Sequence, residues 1–286
     1  MSTNSTEGQH RSLTLPSMRP SRAPRACCHS YPGRVPRPAS VALTEAPGSL
    51  HTRAWTGPGA PTAPTIVLLH GIVSSRYLVP TARRLAGSCK VVAPDLPGFG
   101  RTAATGRPMR VAEMADLVAA WMAASGLEDS TVVGHSVGAQ TAASLAAHHP
   151  GAVRKLVLVG PTVDQDARNV TAQIGRWLVN APTEPPAFNA LAAYELAEIG
   201  PTRMLRCLRR AVEHAIEDNL GDISCPVLLV RGAGDRVAPQ GWLQELQRRL
   251  RGSDLVVLAG AAHTVVYSHP VQLARLIVDF AASGAT

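Results

Sequence analysis

Three residues widely separated in the chain have the types needed for nucleophilic attack on a carbonyl: Ser136, Asp235 and His263. A serine hydroxyl is a poor nucleophile at neutral pH, so it needs a base to take its proton and an acid to orient that base. Ser136 lies in Gly134-His135-Ser136-Val137-Gly138, after the β-branched run Thr131-Val132-Val133 and before the small-residue segment Ala139 to His149. Gly-x-Ser-x-Gly alone also describes a plain turn in a glycine-rich chain. With a strand before it and a helix after it, the motif can lift a hydroxyl clear of the backbone at a sharp elbow. Gly134 and Gly138 lack Cβ, so strand and helix can approach closely there. The helix start behind Ser136 aims backbone N–H groups at any negative charge that develops.

The elements that must position these groups follow from hydrophobic periodicity. Thr65–Leu69, Lys90–Ala93, Thr131–Val133, Leu156–Val159, Val227–Val230 and Leu255–Leu258 are short, nearly continuous apolar runs, as expected of strands covered on both faces. Helical spacing over 77–86, 111–125, 242–250 and 271–282 separates or follows them. The expected fold class is α/β, a mostly parallel doubly wound sheet with helices on both faces. A first hairpin is expected within Val41 to Thr56, turning at Pro47-Gly48. The long stretch from Gly160 to Cys225 breaks the alternation, with three helical segments near 166–178, 188–198 and 202–219 and punctuation by Pro182, Pro185, Pro186 and Pro201. It reads as a helical cap, about 161–222, inserted after the strand ending near Val159, since a segment so long is not a plain connection. A separate small domain is the other reading, but the segment's apolar content is thin.

In an open parallel sheet, reactive groups belong on loops at the carboxyl ends of strands. Asp235 follows the strand ending at Val230, and His263 follows the one ending at Leu258. With Ser136 they give the chain order Ser, Asp, His. Together with His70-Gly71, Asp95-x-x-Gly98-x-Gly100, Gly232-x-x-Asp235 and Gly260-x-x-His263, the elbow resembles the capped, serine-nucleophile form of the α/β-hydrolase superfamily over about residues 50–282. The resemblance implies Ser136 as nucleophile, His263 as base and then acid, and Asp235 as its orienting partner. It also implies an oxyanion hole from the backbone N–H groups of Ile72 and Val137.

Other candidates compete for these roles. His269 could replace His263 as base, although its place before Pro270 suits the start of the last helix. Asp164 could replace Asp235. The pair His148-His149 looks like a metal site only superficially, because adjacent helical positions diverge by about 100°. Its position at a helix end favours a charge role instead. His135 is structural on the resemblance, Asp95 holds its own loop, and Arg231 and Arg236 read as solvated surface. Trp177, Leu178, Phe188 and Tyr194, in the cap, could line a substrate pocket or could simply pack.

Composition narrows the function classes. Of the net charge of +8, residues 1–40 contribute +5, from six arginines against one glutamate, so the folded body carries only +3. The basic residues are not interleaved with aromatics that could stack on bases, and no nucleic-acid partner is expected. The Pro-, Arg- and Ser-rich leader is expected to be disordered. It lacks a secretory apolar core of about 7–15 residues, and no run approaches the roughly 20 apolar residues of a membrane span. No membrane partner and a cytoplasmic location are therefore expected, with an organelle transit peptide as the alternative. Five irregularly spaced cysteines without C-x-x-C suit reduced thiols rather than disulfides or zinc, and Cys89 reads as core. Neither a dinucleotide fingerprint nor a phosphate loop is present, so no cofactor and no metal are expected. Oligomeric state is not legible.

The expected function is hydrolysis of a small to medium carboxylic ester, lactone or thioester, a small-molecule substrate, through an acyl-enzyme on Ser136. A similar triad could instead transfer acyl groups to alcohols, cleave carbon–carbon bonds, eliminate cyanide or form peracids, and fold analogy does not choose among these. A ligand-binding protein with little turnover is a third reading, although no triad member is missing.

Overall fold

The computed structural model describes residues 50–56 and 63–284, all within one compact unit. Seven strands form a single sheet: β1 (Thr52–Thr56), β2 (Thr65–Leu69), β3 (Lys90–Pro94), β4 (Ser130–His135), β5 (Val153–Val159), β6 (Val227–Gly232) and β7 (Asp254–Leu258). Their spatial order is β1-β3-β2-β4-β5-β6-β7. Only β1, paired with β3, is antiparallel; the other five pairings are parallel. The expected doubly wound sheet is therefore present. The first-hairpin expectation is only partly covered, because residues 41–49 lie outside the described residues. The part that is described, β1, takes β3 as its partner.

Alternate residues of each strand feed two separate cores. Val67 and Leu69 of β2, with Leu156 and Leu158 of β5, pack against helices α2 (Val111–Ala124), α3 (Val137–His148) and α7 (Gln240–Arg249). Ile66 and Leu68, with Val157 and Val159, face the other way toward α1 (Val79–Leu85), α8 (Val265–Ser268) and α9 (Pro270–Ala282). This two-sided burial is why the strands read as continuous apolar runs rather than alternating ones. Cys89 belongs to the second core, 2% exposed. No helix among the described residues is long and apolar enough to cross a membrane.

Between β5 and β6 the described chain contains no strand. It forms α4 (Val170–Asn180), α5 (Pro186–Ile199) and α6 (Pro201–Val212), close to the three expected helical segments. The third is shorter than expected. It ends at Val212, and a separate 3-10 stretch follows over Ile216–Asp222. The chain changes direction around β2, with β3 on one side and β4 on the other. That switch point leaves a crevice outside the strand ends.

Candidate functional site

Ser136 sits at the end of β4 as the N-cap of α3, with φ 57° and ψ −122°, a conformation a non-glycine residue adopts only when its surroundings enforce it. Here the enforcement is visible. The Ser136 N–H donates to Val159 O at 2.9 Å, tying the turn to β5. A Cβ on Gly134 would lie 2.4 Å from Gly138 O, and one on Gly138 would lie 2.4 Å from Leu69 O. Only hydrogen fits at both positions, and the elbow closes because of it. Val137 is the first residue of α3, so its N–H has no partner within the helix. It lines the same crevice as Ile72, from the turn after β2.

The structure brings the three sequence candidates together. His263 Nδ1 lies 2.9 Å from Asp235 Oδ2, and His263 Nε2 lies 3.0 Å from Ser136 Oγ. The other oxygen of Asp235 accepts from the N–H groups of Val237 and Ala238 at 2.8 and 2.9 Å. Both oxygens of this buried carboxylate are thus engaged, as a charge withdrawn from water requires. Burial alone would raise the Asp235 pKa, but the neighbouring imidazole and these hydrogen bonds outweigh it and hold the pKa below the ordinary value. For His263 burial acts downward, while the Asp235 charge, its hydrogen bond and the Glu184 charge act upward, and the net is a raised pKa.

His135 is a support for the site. Its Nδ1 lies 2.8 Å from Tyr77 Oη, which also accepts from the Gly71 N–H, and its Nε2 lies 3.1 Å from His263 O. Burial pushes its pKa down to about 3. A neutral ring therefore accepts from the tyrosine hydroxyl at Nδ1 and donates from Nε2 to the backbone of His263. Asp95 holds its loop, accepting from Ser75 N, Ser75 Oγ and Arg101 N and pairing with Arg53 at 2.7 Å.

The competing candidates lie elsewhere. His269 begins α9, with its Nδ1 against Ser268 Oγ. Asp164 accepts from Ala167 N and pairs with Arg176. His149 pairs with exposed Asp116, and His148 Nδ1 lies against Ser144 O. One sequence reading is corrected: Arg231 is not solvated. It is 3% exposed, and its guanidinium donates to the carbonyls of Asp235 and Ala238, bracing the acid loop from beneath. Among the described residues no cluster of three or more His, Cys, Asp or Glu could hold a metal ion.

A cavity of about 410 Å³ opens over Ser136 and His263. Its walls come mostly from the helical insertion: Ile174, Trp177 and Leu178 of α4, Phe188 of α5, and Leu205 and Leu208 of α6. Of the four residues that the sequence left between lining and packing, Trp177, Leu178 and Phe188 border this cavity. Tyr194 does not. It is 54% exposed, its hydroxyl donates to Glu198, and Arg76 lies over its ring.

Two buried carboxylates of the insertion were missed by sequence reasoning. Glu195 accepts from the N–H and hydroxyl of Ser74, in the loop that contains Ile72. Glu184 accepts from the N–H of Thr264, the residue after His263. No local signal marks either one, because acidic residues in helices, like Glu195, and in turns, like Glu184, ordinarily face water.

A mostly parallel sheet with an elbow serine at a strand end, a histidine against it and an aspartate behind the histidine defines the α/β-hydrolase class. Comparison with known proteins agrees. The family profile described as alpha/beta hydrolase fold matches residues 64–200, and one described as TAP-like protein matches residues 203–286. A pimeloyl-[acyl-carrier protein] methyl ester esterase of Neisseria meningitidis is 32% identical over 246 residues, covering 77% of this chain and 93% of that protein. Among solved structures, a membrane phospholipase A is 22% identical with a TM-score of 0.70, covering 87% of each chain. The enol-lactonase from Burkholderia xenovorans is 21% identical with a TM-score of 0.65, covering 82% of this chain and 96% of that one. The chain belongs to the α/β-hydrolase family and is a hydrolase.

Proposed function

We propose that the protein hydrolyses carboxylic esters of small to medium apolar acyl groups, with lactones and thioesters as related substrates, through an acyl-enzyme on Ser136. The observation that carries this is the unbroken hydrogen-bonded chain from Ser136 through His263 to Asp235 at the floor of an apolar cavity. His263 Nε2 takes the hydroxyl proton as Ser136 Oγ attacks the ester carbon, and Asp235 stabilises the imidazolium without itself becoming protonated. The N–H groups of Ile72 and Val137 receive the developing oxyanion, each contributing about 10²–10³ in turnover. His263 returns the proton to the departing alkoxide. Water then repeats the sequence, freeing the acid and restoring the Ser136 hydroxyl. The insertion acts as a cap whose α4, α5 and α6 hold the acyl chain.

A fluorophosphonate should label the wild type and not Ser136→Ala, and the variant should lose about 10⁶-fold in kcat on chromogenic esters. An unlabelled wild type, or a variant that keeps its esterase activity, would overturn the reading.

One observation favours a second, narrower reading in which the acyl group arrives on a negatively charged carrier. While Leu205 and Leu208 of α6 face the cavity, Arg206 and Arg209 of the same helix are exposed. The N. meningitidis relative is named for an ester borne on acyl-carrier protein.

A further inference from the structure

The insertion meets the acid and base loops through one buried corner. Between α4 and α5 the chain runs Asn180-Ala181-Pro182-Thr183-Glu184-Pro185-Pro186, and the prolines preset φ at three of these positions. Asn180 and Glu184 are 2% and 6% exposed. Glu184 Oε1 accepts from the Thr264 N–H at 2.9 Å and from Asn180 Nδ2 at 2.7 Å, while Oε2 accepts from the Thr264 hydroxyl. Asn180 Oδ1 accepts from the Arg236 N–H at 3.2 Å. Thr264 follows His263, and Arg236 follows Asp235. Two side chains from outside the sheet therefore grip the backbone beside both the base and the acid.

A buried carboxylate is retained where it is hydrogen-bonded or paired. Among the described residues no lysine or arginine forms an ion pair with Glu184. Its hydrogen-bond donors are all neutral. The charge it places near the site acts on His263, where it adds to that of Asp235. The other titratable or charged groups facing this pair are His135, whose ring lies 4.9 Å from that of His263, and Arg176 and Arg231, on which the Asp235 charge acts. His135 stays neutral, and the two arginines stay charged.

We infer that Asn180 and Glu184 are positioning residues: their bridge fixes the acid and base loops relative to each other. The inference rests on the triad reading above. It joins catalysis to the seating of the insertion, because the helices on either side of the bridge, α4 and α5, also wall the cavity through Trp177, Leu178 and Phe188. Displacing the corner moves the pocket wall and the base together.

The test uses the full chain with Glu184→Gln, Glu184→Asp and Asn180→Ala, assayed on a chromogenic ester across pH, with fluorophosphonate labelling and thermal melts alongside. A misplaced base costs on the order of 10- to 100-fold in rate. Glu184→Gln should lose that much kcat with KM held within about twofold, and its pH midpoint in kcat/KM should fall. Glu184→Asp keeps the charge and should restore the midpoint. Asn180→Ala keeps the carboxylate but frees the acid loop, so its kcat should fall while the midpoint stays near wild type. A Glu184→Gln protein that melts earlier yet keeps the wild-type kcat and midpoint would show a structural pin only and overturn the inference. Should Glu184→Gln fail to fold, wild-type kcat in Asn180→Ala would overturn it equally. Failure of the triad reading looks different, because in that case the wild type itself takes up no fluorophosphonate.

Discussion

His263 is held between two demands that pull its protonation in opposite directions. Burial disfavours the imidazolium, yet Asp235 and Glu184 favour it more, so the pKa is raised above 6.5. A general base must be neutral to accept the Ser136 proton. It follows that kcat/KM should rise with pH along one ionisation whose midpoint lies above 6.5, the ordinary histidine value. The stability contribution of the same group has the opposite sense. It is fully present below the unfolded value and is lost as pH rises through the raised folded value. His135 cannot supply the rising limb, because its pKa is pushed down to about 3. Asp235→Asn should lower the midpoint and cut kcat about 10⁴-fold, as read from pH–rate profiles of the two proteins. A midpoint that did not move would remove Asp235 from the pair. These three residues were legible in the sequence because each must stand at a strand end, and apolar runs mark strand ends well. Arg231 was not legible. Its run looks like any exposed arginine beside glycines, and only the fold turns its guanidinium inward onto the Asp235 and Ala238 carbonyls.

At the scale of elements, the elbow is a main-chain contact with no room for a side chain. Strand β4 and helix α3 meet where Gly134 faces Gly138 O and the Ala139 backbone, with 2.4 and 2.6 Å available to a Cβ. The clashing atoms are main chain, so a rotamer change cannot relieve them. Gly134→Ala should destabilise the protein by about 1–3 kcal/mol, as overpacking does, and should also lower kcat, because any relief moves Ser136 away from His263. Chemical denaturation and ester assays check both expectations, and a stable, fully active variant would show that the elbow has slack. This element was readable from the motif together with the apolar run before it and the small-residue segment after it. The insertion was readable as three helices divided by prolines, but not in its tertiary role. Pro182, Pro185 and Pro186 were seen as punctuation. What they punctuate is a corner carrying Asn180 and Glu184, whose partners Arg236 and Thr264 are distant in sequence. The early end of α6 at Val212 was missed for a similar reason. Helical spacing runs on past it, while the chain turns to bury Ile216 and Leu220 beneath α3.

For the whole molecule, charge and cavity converge on one helix. The described body carries little net charge, yet α6 contains Arg203, Arg206, Arg209 and Arg210 and no acidic residue. Arg210 is paired with Glu213, and the side chain of Arg203 occupies the space beside Gly98. The outward charge is therefore that of Arg206 and Arg209, on the helix that also lines the cavity over Ser136 through Leu205 and Leu208. A free apolar ester has no use for this charge, whereas a negatively charged carrier would be steered by it, more strongly at low salt. Reversing both charges, Arg206→Glu with Arg209→Glu, should leave kcat/KM on a small chromogenic ester within about twofold of wild type. On an acyl-carrier-protein ester the same change should lower kcat/KM by about tenfold or more at low ionic strength, since like charges now oppose across the contact, and the deficit should shrink as salt rises. Equal rates on the carrier-borne substrate would leave free small esters as the substrates. Equal losses on both substrates would mean that the substitutions had disturbed the cavity wall through Leu205 and Leu208 rather than the docking charge.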